Sequence, residues 1–300
     1  MKQVELPRVR RKNTETNPLE GIVKWDAPKS MWYIMHFIIV VVGAPVTFKI
    51  TNFVLTQVLA ATTVCIGSVA IHRLLVHRSF QCPQWLEYLL VHIGTVVGMG
   101  GPFKNIRMHD IRDWAQRHES CHNIFTHNNP IWKDYWWQVH CKIVLKNAPN
   151  FEIESEVKND LVYIWMERTW MLQQLPLALL LFCLGGWGAV VWGISVRVLI
   201  STTGHWFVGF LAHNGNERSW EVKGHVTQGR NIPHSGLITM GEGWHNNHHA
   251  FPESAKLGLT KEQPDPGWWT ISLLKRIGLV WEVKLPEDLP ERKGLVKKIC

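Results

Sequence analysis

The densest group of potential ligands lies in residues 241–252, which read GEGWHNNHHAFP. His245, His248 and His249 are separated by three and four residues, and such positions share one face of a helix. Neutral imidazole is the commonest metal ligand among side chains, and charged imidazoles this close would repel one another. The segment therefore predicts a short metal-binding helix, with a solvated polar turn as the alternative.

A second pair of histidines, His72 and His77, ends an apolar segment. Five residues of an α-helix turn through about 500°, or about 140° beyond one full turn, so the two rings should diverge. Divergent ligands at one helix end suit two neighbouring metal ions, although histidines are also common at helix ends for structural reasons. His213, after another apolar segment, is a weaker candidate by itself.

Taken together, the histidine groups predict a dimetal site, and the surroundings favour iron. Imidazole-rich sites with carboxylate or water suit iron as readily as zinc, but zinc performs no redox chemistry. A membrane setting and an apolar substrate favour iron that activates O2. The six cysteines form no CxxC pair, so neither a thiolate zinc site nor a disulfide framework is expected.

Long uncharged segments must position these histidines. Residues 32–48 and 53–71 are apolar and separated by four residues, and the second would span about 28 Å as a helix, close to the thickness of bilayer hydrocarbon. Residues 169–196 carry no charged side chain and are too long for one span. With a turn at 185–188, they predict a third helix near 169–184 and a fourth near 188–212.

The predicted fold is an all-α membrane protein with four transmembrane helices and a cytosolic helical cap that holds the dimetal site. The chain divides into a polar, basic N-terminal tail (1–29), a four-span domain (30–265) and an amphipathic, basic C-terminal segment (266–300). Arg197 falls inside the fourth predicted span, where a charge must face a partner or a cavity. Residues 85–103, apolar but interrupted, predict an interfacial or re-entrant helix.

The distribution of charge and tryptophan predicts the location of the protein. The chain has a net charge of +8, with 17 Trp against 11 Phe and 4 Tyr, and Trp favours membrane–water boundaries. Basic residues precede the first predicted span and follow the second. By the positive-inside rule, both termini and the metal site are cytoplasmic in a multi-pass protein. A bacterial inner membrane is favoured over the endoplasmic reticulum.

Two histidine segments resemble those of a known family. Residues 72–80 (HRLLVHRSF) and 241–252 resemble the first and third histidine boxes of membrane fatty acid desaturases, above all the Δ9, stearoyl-CoA-desaturase-like branch and its bacterial members. The likeness runs from about residue 32 to residue 259. It implies a mushroom-shaped four-span fold, a di-iron centre and a bent acyl tunnel. The implied metal ligands are His72, His77, His245, His248 and His249 in the boxes, and His213 on the fourth span.

The second histidine box departs from the family pattern His-Arg-x-His-His. At the expected position stands HDIRD, residues 109–113, in which only His109 remains. Arg112 has no lone pair for a metal, whereas Asp113 has one and shares a helix face with His109. The sequence thus predicts His109 and Asp113 as ligands. His118 and His122, also four residues apart, are either alternative ligands or hydrogen-bonded structural histidines.

A further departure is Gly209, where the family usually has Asn near a metal-bound water. Gly209 is four residues from both His205 and His213, so the three positions lie along one helix face. The missing side chain leaves space for water or for His205 as a further ligand. The number of ligands stays open at this point.

The resemblance implies an O2-dependent fatty acyl desaturase that introduces a cis double bond at a di-iron centre. Its substrate would be an acyl-CoA, an acyl-ACP or a lipid-linked chain. The sequence lacks both a dinucleotide-binding and a haem-attachment motif, so electrons should come from a separate ferredoxin or cytochrome b5, and nucleic acid is not an expected partner. The alternatives are a hydroxylase on the same scaffold, a membrane b-type cytochrome and a non-catalytic lipid-binding homologue.

Overall fold

The computed structural model describes residues 6–215 and 218–298 and is mostly helical. Residues 1–5 of the predicted tail and 299–300 of the predicted C-terminal segment lie outside it. The α-helices are α1 (Ala27–Val46), α2 (Ile50–Gly67), α3 (Gln84–Val96), α4 (Pro102–Gln116), α5 (Asn123–Thr126), α6 (Ile131–His140), α7 (Ser155–Lys158), α8 (Leu161–Thr169), α9 (Gln174–Val190), α10 (Arg197–Asn214), α11 (His245–Ala250) and α12 (Pro266–Arg276). Two π-helical segments, Ser68–Val76 and Val191–Val196, extend α2 and α9, and a 3-10 turn spans Pro286–Asp288.

Six short strands accompany the helices, although the sequence predicts an all-α fold. They are β1 (Val9–Arg10), β2 (Gly21–Trp25), β3 (Cys141–Leu145), β4 (Asn150–Phe151), β5 (Trp220–Val222) and β6 (Leu295–Lys297). They pair antiparallel as β1–β4, β2–β3 and β5–β6. These pairings join segments more than 70 residues apart, which local hydrophobic periodicity does not register.

Three helices in the described part of the chain are long and apolar enough to cross a membrane: Ala27–Val46, Ile50–Val76 and Gln174–Asn214. The first two agree with the predicted spans, and the second is prolonged by its π-helical segment. The third has 41 residues, which corresponds to about 60 Å, twice the hydrocarbon thickness of a bilayer. This chain is therefore built as a membrane protein.

The 41-residue helix is a hairpin rather than a rod. Gly186 has φ 65° and ψ −161°, which breaks the helix inside the predicted turn at 185–188, and such a left-handed φ favours glycine. The limbs on either side fold against each other, since a Cβ added to Gly193 would lie 2.5 Å from Leu181 Cδ1. The sequence thus predicts the turn correctly, although α9 begins at Gln174 rather than near 169.

Both hairpin turns lie at the same end of the long helices. A Cβ added to Gly188 would approach Asn52 Nδ2 to 2.8 Å, and Asn52 Nδ2 donates to Thr47 O (3.0 Å) in the first turn. His72 is 20 residues beyond Asn52, a distance of about 30 Å along a helix. His213 is similarly far from the second turn. The histidines and the turns therefore occupy opposite ends of the long helices.

Arg197 has the partners that its position in an apolar helix demands. It is fully buried; Nη1 donates to Val96 O (2.8 Å), Nε to Gly193 O (2.8 Å) and Nη2 to the side-chain oxygen of Gln174. All three acceptors are neutral oxygens. A buried polar group without a hydrogen-bond partner costs roughly several kcal/mol in apolar surroundings. Here α3, α9 and the second π-helical segment provide the partners.

Part of the predicted N-terminal tail packs into the cap, the mainly aqueous layer formed by residues 102–169 and 218–298. Arg8 is 7% exposed and binds Glu154 (2.7 Å) and Asp110 (3.1 Å) on α4. Residues 21–25 pair with β3. The buried Arg8 and Val9 fix this part of the chain against α4, whereas Pro7, residues 10–15 and several residues of 19–25 remain exposed.

The C-terminal segment secures the end of α2. Arg73, 1% exposed, binds the carboxylate of Asp265 through Nη2 (2.8 Å) and Nη1 (3.2 Å). Asp265 also caps α12 by accepting from Trp268 N. Ile271 of α12 packs in the same apolar cluster as Leu74 and Leu75. These contacts fix the backbone directly after His72.

Candidate metal centre

Four histidines form cluster A: His72, His77, His109 and His248 each offer a ligand atom within 4.8 Å of the others. His72 lies in the π-helical segment after α2, and His77 directly follows that segment. His109 belongs to α4 and His248 to α11. His77 N donates to His72 O (3.1 Å), an i to i+5 bond that defines a π-helix. Their rings therefore lie 4.9 Å apart, centre to centre.

This winding corrects the expectation that His72 and His77 diverge toward separate ions. That expectation assumes α-helical rotation between residues five apart. A π-helix hydrogen-bonds residues five apart, so the two imidazoles lie on the same side of the chain and belong to one cluster.

Three histidines form cluster B: His213, His245 and His249 also have ligand atoms within 4.8 Å of one another. The ring centres of His213 and His245 are 4.9 Å apart, and those of His245 and His249 are 4.6 Å apart. His213 is the second-last residue of α10, and His245 and His249 belong to α11. The short helix α11 therefore contributes His248 to one cluster and two histidines to the other.

The ligand atoms have the spacing that shared metal ions require. His77 Nε2 is 3.2 Å from His109 Nε2 in cluster A, and His249 Nε2 is 3.0 Å from His245 Nε2 in cluster B. Two donors about 2.1 Å from one ion, at tetrahedral or octahedral angles, lie about 3.0–3.4 Å apart. His248 Nδ1 is buried and has no hydrogen-bond partner among the described residues. The donors present therefore fit two metal ions.

Four of the clustered histidines, His77, His245, His248 and His249, are held neutral, as ligation by imidazole requires. Burial, reinforced by the neighbouring imidazoles, lowers the pKa of His77, His245, His248 and His249 well below the ordinary value. A buried proton-bearing imidazolium would repel its neighbours. The lone pairs are thus available at neutral pH.

Carboxylates orient two imidazoles of cluster A. Glu242 Oε2 lies 2.8 Å from His72 Nδ1, and Asp110 Oδ1 lies 3.2 Å from His109 Nδ1. The hydrogen bond at His109 Nδ1 leaves Nε2 as its ligand atom and increases its basicity, and Glu242 places negative charge beside His72. Burial opposes the charge of Glu242, but His72 and Arg73 outweigh it and lower its pKa to about 2. The carboxylate is therefore charged at all physiological pH values.

Cluster B has weaker supporting contacts. His213 Nδ1 donates to the backbone oxygen of Gly209 (2.7 Å), so Nε2 carries the lone pair, and it lies 3.2 Å from Gln116 Nε2. Asp113, the predicted replacement ligand, is not brought into the cluster. Both its oxygens accept from Arg117, at 2.9 and 2.6 Å, because the two side chains are four residues apart on α4.

The alternative ligands also lie outside both clusters. His118 Nδ1 is 2.8 Å from Trp114 O, and His122 Nδ1 accepts from Ile124 N (3.2 Å) at the start of α5. Both therefore make hydrogen bonds of the kind expected of structural histidines. His205, two turns before His213 on α10, has an exposed side chain.

Comparison with known proteins gives the family. The family model described as fatty acid desaturase matches residues 49–256, a range that contains all seven clustered histidines. The chain belongs to the fatty acid desaturase family. It is 34% identical over 227 residues to the sn-2 palmitoyl-lipid 9-desaturase of Nostoc sp. (strain 36), covering 73% of this chain and 75% of the relative.

Further relatives act at more than one position and on more than one carrier, as their names state. The sn-1 stearoyl-lipid 9-desaturase of Anabaena variabilis is 34% identical over 228 residues, 73% of this chain and 79% of the relative. The acyl-CoA 5-desaturase AL21 of Anemone leveillei is 31% identical over 272 residues, 87% and 82% respectively. This chain is thus an enzyme of the fatty acid desaturase family, and it is similar to 9-desaturases as well as to a 5-desaturase.

His127 is the residue of the desaturase site that sequence reasoning missed. It is 1% exposed, and its ring stacks on that of His213 with centres 5.0 Å apart and planes at 19°. A Cβ on Gly209 would lie 3.4 Å from His127 Nε2, in ordinary van der Waals contact, so a longer side chain there would meet the ring. The imidazole of His127 therefore packs against Gly209.

Two charged groups hold His127 in place. Its Nδ1 donates to Asp134 Oδ2 (2.9 Å), which also accepts from Trp206 Nε1 (2.9 Å), and its Nε2 accepts from Arg112 Nη1 (3.1 Å). His127 adopts φ 55°, a left-handed conformation that costs a non-glycine residue about 1–2 kcal/mol. The only sequence signal for this contact was the missing side chain of Gly209, since the interacting residues come from four separate segments.

Proposed function

We propose that this desaturase uses O2 and two iron ions, one in each histidine cluster, to introduce a cis double bond into a long fatty acyl chain. The observation that carries the proposal is the gathering of seven imidazoles into two groups joined by α11, with opposing nitrogens 3.0–3.2 Å apart. Iron in this position supplies the reduction of O2 and the removal of two hydrogen atoms from adjacent methylenes.

The chain's own residues orient and hold the metal centre. The proposed ligands are His72, His77, His109 and His248 in cluster A, and His213, His245 and His249 in cluster B. Glu242 and Asp110 fix the ligand nitrogens of cluster A. We assign no ligand role to Asp113, since Arg117 engages both its oxygens.

The hairpin at Gly186 supports a topology with four spans. Each limb of Gln174–Asn214 would cross the bilayer once, alongside α1 and the helix Ile50–Val76. The two adjacent turns would face outward, and the clusters and both termini would lie in the cytoplasm. The first turn carries only Lys49 as a charged residue, whereas the cap is rich in arginine and lysine, in agreement with the positive-inside rule.

An apolar chain has no polar handle near its middle, so protein shape must select the carbons that react. Ile50–Val76 and α10 both run from the proposed bilayer to the clusters, and we propose that the acyl chain lies between them. The names of the relatives include lipid-linked and acyl-CoA substrates, and a lipid-linked chain desaturated at position 9 is the substrate class we propose.

Two electrons per double bond must come from another protein. The net charge of +8 favours an acidic donor, since complementary charge accelerates encounter. We propose a ferredoxin or a cytochrome b5-like protein in this role.

Expression in a host deficient in unsaturated fatty acids tests the reaction, with gas chromatography and mass spectrometry of total lipids. A new cis-monounsaturated fatty acid is the expected product. Hydroxylated acyl chains would instead identify a hydroxylase on the same scaffold. A purified protein with neither product nor bound iron would leave only lipid binding, and the proposal would be wrong.

A further inference from the structure

We infer that the two clusters bind their ions unequally: cluster A retains its ion, whereas cluster B exchanges its ion readily. The inference rests on the proposed dimetal centre and goes beyond it, because it assigns different tasks to the residues around each ion. It follows from ligand number, from the groups behind the ligands and from the charges nearby.

Ligand number is the first difference. Cluster A offers four imidazoles and cluster B three. The α4 side chain that contacts cluster B is Gln116, whose Nε2 lies 3.2 Å from His213 Nε2, and the carboxylate of Asp113 on the same helix is turned to Arg117. An ion in cluster B would therefore need water to complete its coordination, and bound water exchanges more easily than a side chain.

The groups behind the ligands are the second difference. Cluster A has carboxylates at the Nδ1 atoms of His72 and His109. At cluster B, His213 Nδ1 donates to a backbone oxygen. Outer partners of this kind typically change metal affinity by about 10–100-fold, because they fix the ring and increase its basicity.

The two carboxylates beside cluster A also contact arginines. Each does so with the oxygen atom that does not face a histidine. Asp110 Oδ2 binds Arg8 while Oδ1 faces His109. Glu242 Oε1 lies 3.9 Å from Arg73 while Oε2 faces His72. Each carboxylate therefore links an arginine to a ligand and still delivers negative charge to the imidazole.

Charge around cluster B has the opposite sign. Arg292 Nη1 donates to the backbone oxygen of His249, and Arg117 neutralises Asp113. Arg112 reaches the same region through His127, which stacks on His213. Asp134 compensates part of this charge, but it contacts His127, which belongs to neither cluster. Positive groups that surround a dication weaken its binding.

Chelator titration of the full-length protein in detergent tests the inference. The protein is loaded with Co2+, which reports its ligand field by absorption, and dialysed against increasing EDTA. We expect two equivalents, lost in separate phases whose midpoints differ by at least about tenfold. A single phase for both ions would overturn the inference but leave the dimetal centre intact. Failure to bind any Co2+, Fe2+ or Zn2+ would contradict the proposed function itself.

Matched variants assign the phases. His245→Gln removes a ligand of cluster B only, so it should abolish the easily lost equivalent and leave the retained one. His109→Gln does the reverse in cluster A. Circular dichroism and gel filtration verify that both variants fold. If His245→Gln removed the retained ion instead, the assignment of affinities would be wrong.

A gain of affinity gives the sharpest test. Arg117→Gln releases Asp113, which can then turn toward cluster B as a fourth ligand, and the weak midpoint should move at least about tenfold toward the strong one. The double variant Arg117→Gln/Asp113→Ala should return it to the wild-type position, and Asp113→Ala alone should change it little. An equal shift in the double variant would contradict the role of Arg117.

Discussion

The two histidine clusters share one short helix but differ in almost everything around it. Cluster A unites a π-helical segment, α4 and α11, and carboxylates lie behind its rings. Cluster B has α10 and α11 only, and it faces the segment in which Arg112 and Asp113 replace the expected histidines. A change in one sequence box has thus altered one half of the site while the other half kept its ligands.

The largest effect should follow from removal of a ligand in cluster A. His248→Ala should lower product formation by more than about a hundredfold and reduce bound iron, since losing even an outer partner costs about 10–100-fold. Lipid analysis and metal mass spectrometry measure both. His234→Asn is the control, because His234 is exposed and its left-handed φ of 62° suits Asn; full activity in His248→Ala would remove cluster A from the mechanism.

The next largest effect should follow from removing the charge of Glu242, which lies beside His72 of cluster A. Glu242→Gln keeps the shape of the side chain but removes its charge, so the affinity of the retained ion should fall by about 10–100-fold. The retained phase of a chelator titration reports the change, and the phase assigned to cluster B should not move. Unchanged affinity at both clusters would show that charge behind the ligands does not distinguish them.

Gly209 offers a way to disturb cluster B alone. Gly209→Asn introduces the residue usual in the family and pushes against His127, whose Nε2 lies 3.4 Å from the new Cβ. We expect about tenfold lower activity and weaker ion binding in cluster B. The double variant Gly209→Asn/His127→Ala removes the collision and should recover part of both losses; no recovery would mean that His127 is not the obstacle.

The last effect concerns the pH dependence of stability and not the activity. His77, His245, His248 and His249 have pKa values well below 6.5 in the fold, whereas the unfolded chain takes up protons on them below about pH 6.5. The free energy of unfolding of the metal-free protein should therefore fall as pH decreases from 6.5, by at most about 1.4 kcal/mol per pH unit per histidine. Thermal unfolding at pH 7.5 and 5.5 measures it. The double variant His245→Gln/His249→Gln should show a shallower slope.

The sequence was sufficient for features that repeat locally or carry a distinctive composition. It predicted the apolar segments, the turn at Gly186 and the seven histidines that the structure gathers into clusters. The hairpin needed only length and glycine, and the third box needed only helical spacing. These signals depend on neighbouring residues, which a single sequence records directly.

Contacts between distant segments could not be predicted in the same way. The π-helical segment packs Leu74 and Leu75 in one apolar cluster with Ile271 of α12, a contact that a spacing of five residues does not reveal. His127 joins Asp134, Arg112 and Trp206 from separate helices. The partners of Arg197 include a backbone oxygen in α3. In each case the contacting residue lies far away in the sequence, and no repeated spacing of residues marks it.

The six residues of α11 fix the geometry between the two clusters. Because His248 belongs to one cluster and His245 and His249 to the other, the separation of the clusters is set by a single turn of backbone. His72 and His213, by contrast, belong to the long helices. A movement of those helices within the lipid would therefore displace one imidazole of each cluster relative to α11, whose own imidazoles keep their spacing.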